Sequence, residues 1–250
     1  MKDKREIFAR LHQPGNPLLL YNAWDAGSAR AVADAGAPAI ATGSHSLAGA
    51  QGYPDGEAIP LATLLESVRR IVAVVDVPVS VDFEGGFAVD PARLAEHATY
   101  LSETGAIGCN FEDRKVGGEG LHGLEEQAKR VAAVASAGLF VNARTDLFLS
   151  LLVAGRDPND RSLLSDALER AAAYGEAGAG SFFAPGLSDP ELIADLCAAS
   201  PLPVNIMVYA KIADWRALAQ CGVARLSWGP GPWRLAMATL KEQAEALYRS

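Results

Sequence analysis

Eight times along this chain a short apolar run, often β-branched, gives way to a longer stretch rich in Ala, Leu, Glu and Arg. The runs fall at residues 18–25, 39–44, 78–84, 108–113, 140–146, 181–186, 203–208 and 224–229. Helical patterns follow at 61–75, 91–104, 124–137, 162–177, 190–199 and 213–220, and a long amphipathic helix is expected over 233–248. The runs are nearly continuous in hydrophobicity rather than alternating, which is the pattern of parallel strands covered on both faces. Gly36, Gly105, Gly138, Gly178 and Gly222 stand just before expected strands, where a left-handed residue turns the chain out of a helix. Asp90-Pro91 and Asp189-Pro190 each put a capping carboxylate before a proline at the first helical position. Eight strand–helix units in 250 residues predict an α/β fold, a single (β/α)8 TIM-type barrel over residues 1–250. The rival is an open doubly wound sheet, but the first run is followed by Asp25-Ala26-Gly27-Ser28-Ala29-Arg30 rather than by a GxGxxG turn.

Charge and cysteine content narrow the function classes. Twenty-two Lys+Arg against 30 Asp+Glu give a net charge of −8 with no basic cluster, so a nucleic-acid partner is not expected. The longest uncharged window, residues 35–54, carries four Gly and two Pro and cannot span a bilayer as a helix. The first residues mix both signs and lead into no apolar signal core. Cys109, Cys197 and Cys221 are odd in number and far apart, which gives neither a disulfide framework nor a CxxC metal site. The expected compartment is the reducing cytoplasm.

Barrel chemistry happens where strands end. The expected strand ends carry Asp25, Thr42-Gly43-Ser44, Asp82-Phe83-Glu84, Glu112-Asp113, Arg144-Thr145-Asp146, Asn205 and Ser227-Trp228-Gly229. Asp82, Glu84 and Glu112 would repel one another in a small space unless a cation sat among them, and oxygen ligands select Mg2+ or Mn2+. Arg144 would then read a substrate carboxylate or phosphate in bidentate fashion. Arg144 and Glu112 are the candidate catalytic groups, and Asn205 is a candidate substrate contact. Asp113 and Asp146 read equally well as caps of the helices that follow. His12, His97 and His122 read as solvated, Cys109 as a small buried hydrophobe, and residues 117–120 as a mobile loop over the site or an ordinary surface loop.

Five segments in order carry a family likeness: Thr42-Gly43-Ser44, Gly52-Tyr53-Pro54-Asp55, residues 81–87 (VDFEGGF), residues 110–113 (NFED) and residues 141–146 (VNARTD). The chain resembles the isocitrate lyase / phosphoenolpyruvate mutase superfamily. That resemblance implies a (β/α)8 barrel in a homo-oligomer, dimer or tetramer, with the last helix exchanged between paired subunits. It implies Mg2+ held by Asp82, with Asp55, Glu84 and Glu112 ordering its waters, and a 2-oxo carboxylate gripped by Thr42, Gly43, Ser44 and Arg144. A divalent ion and fixed N–H donors stabilise the oxyanion that develops at C2 in such chemistry.

The departures from the family pattern are as informative. Residues 113–120 (DRKVGGEG) lack the Lys-x-Cys-Gly-His loop of the isocitrate lyases and offer no thiol, imidazole or phenol. A placed proton donor contributes about 10² to 10⁴-fold, so cleavage of isocitrate or methylisocitrate is expected to be negligible. The expected function is a Mg2+-dependent carbon–carbon bond enzyme (lyase, hydrolase or decarboxylase) on a small 2-oxo or 2-hydroxy carboxylic acid. The alternatives are a phosphonate P–C bond enzyme and a non-catalytic 2-oxo acid binding protein.

Overall fold

In the computed structural model, residues 2–212 and 214–249 are described. The chain opens with α1 (Lys2–Arg10) and then runs β1 (Leu18–Leu20), α2 (Ala26–Asp34), β2 (Ile40–Ala41), α3 (Ser44–Ala50), α4 (Leu61–Ala73), β3 (Val79–Asp82) and α5 (Pro91–Glu103). It continues with β4 (Gly108–Glu112), α6 (Leu124–Ala135), β5 (Phe140–Arg144), α7 (Leu147–Val153), α8 (Leu164–Glu176), β6 (Ser181–Phe183), α9 (Pro190–Ala199), β7 (Val204–Met207), β8 (Arg225–Ser227) and α10 (Gly231–Tyr248). Eight parallel strands follow the order β1-β8-β7-β6-β5-β4-β3-β2. The two ends of that sheet meet through the parallel bridge Ala23↔Thr42, so the sheet closes into a (β/α)8 barrel. Among the described residues, no helix is long and apolar enough to cross a membrane.

Every expected strand is present, trimmed at one or both ends. The expected helix over 213–220 is not: its first residue, Ala213, lies outside the described residues, and 214–220 hold only a 3-10 turn at Ala217–Ala219. Asp214 Oδ1 accepts the Arg216 N–H at 2.9 Å, a local bond that competes with helix formation. Helices α1, α2, α3 and α7 are additional. The signal for α2 was present as a capping box, in which the Asp25 side chain and Ser28 bond each other's backbone. In contrast α7 (LFLSLLV) is apolar all round and shows no period.

Alternation along the strands gives the barrel interior three layers. The bottom layer is apolar: Phe8 of α1 plugs it against Leu18, Leu20, Ala39, Ala41, Ile107 and Phe140. The middle layer is polar, with Ser80, Asn110, Asn142, Ser181, Asn205 and Arg225 all buried. The third layer opens on the C-terminal face. The outer faces of the strands pack under the helices in one large apolar cluster that includes Cys109.

The expectation that three histidines are solvated is overturned. His12 is buried beside Phe8 and Phe140, with ring centroids 4.8 and 4.6 Å away. His122 is buried with its Nδ1 3.1 Å from Glu126. His97, partly buried, has Nδ1 2.9 Å from the Gly86 carbonyl. Phe140 and the Gly86 carbonyl, the partners of His12 and His97, lie on distant elements that sequence spacing does not show, whereas Glu126 stands four residues beyond His122.

Candidate active site

The strand ends surround a cavity of about 490 Å3 on the C-terminal face, lined by Gly43, Ser44, Asp55, Asp82 and Arg144 among others. Asp82 ends β3 on its floor. The Asp82 N–H donates to Thr42 Oγ1 at 2.9 Å, and Asp82 Oδ2 accepts the Ser44 N–H at 3.0 Å. Asp82 Oδ1 is buried and has no partner. Burial pushes the Asp82 carboxyl up, while Arg144 and the Ser44 N–H pull it down. The Gly43 N–H donates to the Ala23 carbonyl at 3.3 Å. Both amides of this turn therefore hold the protein together, and Thr42 supports the site from behind.

Arg144 is gripped on two sides. Its Nε and Nη2 donate to the two oxygens of Asp146, the latter at 2.9 Å, and its Nη1 lies 2.9 Å from Glu112 Oε2. A guanidinium has five N–H donors, and these three contacts leave two uncommitted on a side chain that lines the cavity. Burial pushes the Glu112 carboxyl up, and Arg144 opposes that shift. Asp146 and Glu112 hold Arg144 firmly protonated against its burial. Asp146, which could have been a helix cap, makes no side-chain cap bond to α7.

The remaining acids are more dispersed. Asp55 lines the cavity 3.8 Å from His45 Nδ1. Glu84 is buried beneath it, and its Oε2 accepts the Glu57 N–H at 2.9 Å. Burial first, and then the charges of Asp82, Asp55 and Glu112, push the Glu84 carboxyl up to about 8. Glu84 and Phe87 hold φ of 50° and 59°, a costly conformation for a side-chain-bearing residue. Arg130 fastens this loop by donating to the carbonyls of Gly85, Ala88 and Val89 at 2.9–3.1 Å. Asn205 is fully buried in the middle layer and does not line the cavity. Residues 114–121 form a short turn closed by the bridge Arg114↔Leu121.

Among the described residues, no three His, Cys, Asp or Glu side chains close on a single point. Mg2+ does not need such a cage, because it keeps several waters and takes one or two direct carboxylates. A buried carboxylate oxygen without a partner carries a desolvation cost. Asp82 Oδ1 is such an atom, on a side chain that lines the cavity with Asp55. The donor set fits a hard divalent cation.

The phosphoenolpyruvate phosphomutase family model matches residues 8–248. The chain belongs to that family. Among solved structures, this phosphomutase-family chain is similar to one from Burkholderia cenocepacia J2315 provisionally termed a phosphonomutase, at 46% identity and a TM-score of 0.92 over 97% of this chain and 99% of that one. It is 31% identical to an uncharacterized protein of Mycobacterium tuberculosis, over 96% of this chain and 88% of the relative. It is 32% identical to an oxaloacetate decarboxylase of Rhodopseudomonas palustris, over 80% of this chain and 66% of the relative. The fold also matches a phosphonopyruvate hydrolase solved with oxalate and Mg2+, at 22% identity and a TM-score of 0.83 over 98% of this chain and 87% of that one.

Two cavity residues of this family member escaped the sequence reading. Asn110 Oδ1 accepts from Asn142 Nδ2 at 2.8 Å and from Arg225 Nη2 at 3.0 Å, which leaves its Nδ2 as the group available to the cavity. Asn22 Nδ2 donates to the Thr42 carbonyl, and its Oδ1 accepts the N–H groups of Trp228 and Gly229, all at 2.9 Å. Asn110 was visible as part of a family segment, but its partners lie on β5 and β8. Nothing in the local sequence marks Asn22.

Proposed function

We propose that this chain is a Mg2+-dependent enzyme, a lyase, hydrolase or decarboxylase, that breaks a carbon–carbon bond beside the 2-oxo or 2-hydroxy group of a small carboxylic acid. The observation that carries the reading is the partnerless, buried Oδ1 of Asp82, a side chain that lines the cavity together with Arg144. Asp82 would hold the ion, with Asp55, Glu84 and Glu112 ordering its waters. When bound, Mg2+ (or Mn2+) supplies Lewis-acid stabilisation of the charge that develops on the substrate's C2 oxygen. The two unused Arg144 N–H groups orient the carboxylate as a planar fork. Ser44 Oγ and Asn110 Nδ2 fix the acid's other oxygens, and the pairing of Arg144 with Glu112 and Asp146 keeps the guanidinium from swinging away. Thr42 and Gly43 shape the turn that carries Ser44, and Asn205 supports this floor from the layer below.

The similarity to the protein provisionally termed a phosphonomutase favours P–C bond chemistry as the second reading. Two carboxylates already neutralise Arg144 in the cavity, which disfavours a substrate with a dianionic phosphonate. Phosphate release from phosphonopyruvate would promote this reading. We further propose one catalytic domain, in the cytoplasm, assembled as a homodimer or homotetramer through exchange of α10.

The decisive measurement is calorimetric titration with oxalate. Binding to the parent should require Mg2+ or Mn2+, and Asp82→Ala should abolish it while the circular dichroism spectrum stays the same. Metal-dependent oxalate binding that survives in Asp82→Ala would overturn the proposed site.

A further inference from the structure

The cavity has two unlike halves. The side toward β1–β4 presents Asn22, Ser44, Asp55, Asp82 and Asn110, and Arg144 closes it from β5. The side toward β6 and β7 is hydrocarbon: Leu149, Leu152 and Val153 from α7, Phe183 and Pro185 from the end of β6, and Met207 from the end of β7. Pro185 has no N–H to offer. The Tyr209 hydroxyl in this half already donates to the Gly186 carbonyl at 2.7 Å. Val153 is 78% exposed at the end of α7, so apolar surface stands in water where the cavity meets solvent.

The cations are arranged just as unequally. Arg144 belongs to the polar half and already holds two carboxylates. Arg234, from the first turn of α10, is exposed at the rim. A second carboxylate carried into the hydrocarbon half would give up its water and gain no buried charge partner there. An alkyl chain in the same place would cover Leu152, Val153 and Met207, and methionine adapts its shape to such a chain. A volume of about 490 Å3 also exceeds what an oxaloacetate-sized ligand fills.

The geometry points to a substrate class: a 2-oxo or 2-hydroxy monocarboxylic acid with an apolar substituent beyond C3, rather than a diacid. This rests on the carbon–carbon bond reading of the polar half. The polar half grips the carboxylate and C2 oxygen, and the wall formed by α7, β6 and β7 selects the tail.

The test is competition against oxalate on the full chain with Mg2+, using pyruvate, 2-oxohexanoate and 2-oxoglutarate as probes. Each buried methylene strengthens binding about fourfold, so 2-oxohexanoate, with three more than pyruvate, should bind about fiftyfold tighter than pyruvate and tighter than 2-oxoglutarate. Leu152→Arg should reverse the order of 2-oxohexanoate and 2-oxoglutarate. Val153→Arg repeats the test at a position too exposed to affect folding. Parent protein that binds 2-oxoglutarate as tightly as 2-oxohexanoate, while still binding oxalate, would overturn the tail assignment alone. Failure of oxalate itself to bind would overturn the parent reading, and this inference with it.

Discussion

Asp113 has no exposed surface, yet three donors converge on its carboxylate: Arg170 Nη1 at 3.0 Å, the Tyr174 hydroxyl at 2.9 Å and the Asp146 N–H at 2.9 Å. Burial pushes its carboxyl up, and these donors and the Arg170 charge oppose that shift. Asp146 in turn grips Arg144, so one chain of contacts runs from α8 under the strand ends to the cavity. Asp113→Ala leaves Arg170 with the half-exposed Asp166 as its carboxylate partner, beside the neutral His122 carbonyl and Tyr174 hydroxyl. Removing one member of a buried pair costs about 3 kcal/mol, so the urea midpoint should fall accordingly with an unchanged m-value, and oxalate affinity should fall as Arg144 loses its support. The local sequence left Asp113 and Asp146 open between helix caps and site acids. Arg170 and Tyr174 lie 57 and 61 residues further on, and a residue's chemistry is set by such partners. Asp82, Arg144 and Glu112 were legible because they stand at strand ends, where the barrel itself dictates their direction.

Among the elements, α10 stands apart. Leu235 and Leu240 are 61% and 63% exposed, and Met237 also faces solvent. Met237 and Leu240, three residues apart, share one face, and that exposed face is what the proposed exchange would cover. Light scattering should give a dimer or tetramer mass for the parent, and Leu240→Glu should shift it toward the monomer; a monomeric parent would remove the proposed exchange. All eight strands could be read from the sequence because each is a short apolar run, and five of them follow a turn glycine. The helices read correctly are the amphipathic ones. Helix α7, which forms the wall of the substrate cavity, was missed because its uniform hydrophobicity hides its period. The most specific part of the candidate site thus sits on the least legible element.

At the scale of the whole molecule, the barrel is closed below by Phe8 and His12 and open above. His12 sits in the apolar plug near Arg225, and burial first, then that positive charge, pushes its imidazole down to about 3. The ordinary value of about 6.5 holds in the unfolded chain. Between these values the unfolded state binds the extra proton, so stability is fully present above pH 6.5 and is lost as pH falls toward 3. Between pH 7 and pH 5 the parent should lose about 2 kcal/mol more than His12→Phe, measured by urea denaturation at each pH. Parallel losses in the two proteins would show that His12 is not the titrating group.

The barrel wall is a hoop with a clasp. Seven of its joints are ladders between neighbouring strands, and the eighth is the single bridge Ala23↔Thr42. Asn22 crosses that joint with one side-chain bond, to Thr42, and ties the neighbouring β1–β8 joint with two more, to Trp228 and Gly229. Asn22, Gly43, Ser44 and Gly229 all line the cavity, so an occupant of the cavity presses directly on the fastener. Anything that binds the closed form alone tightens it by mass action. In this molecule, whatever fills the cup also holds the hoop buckled.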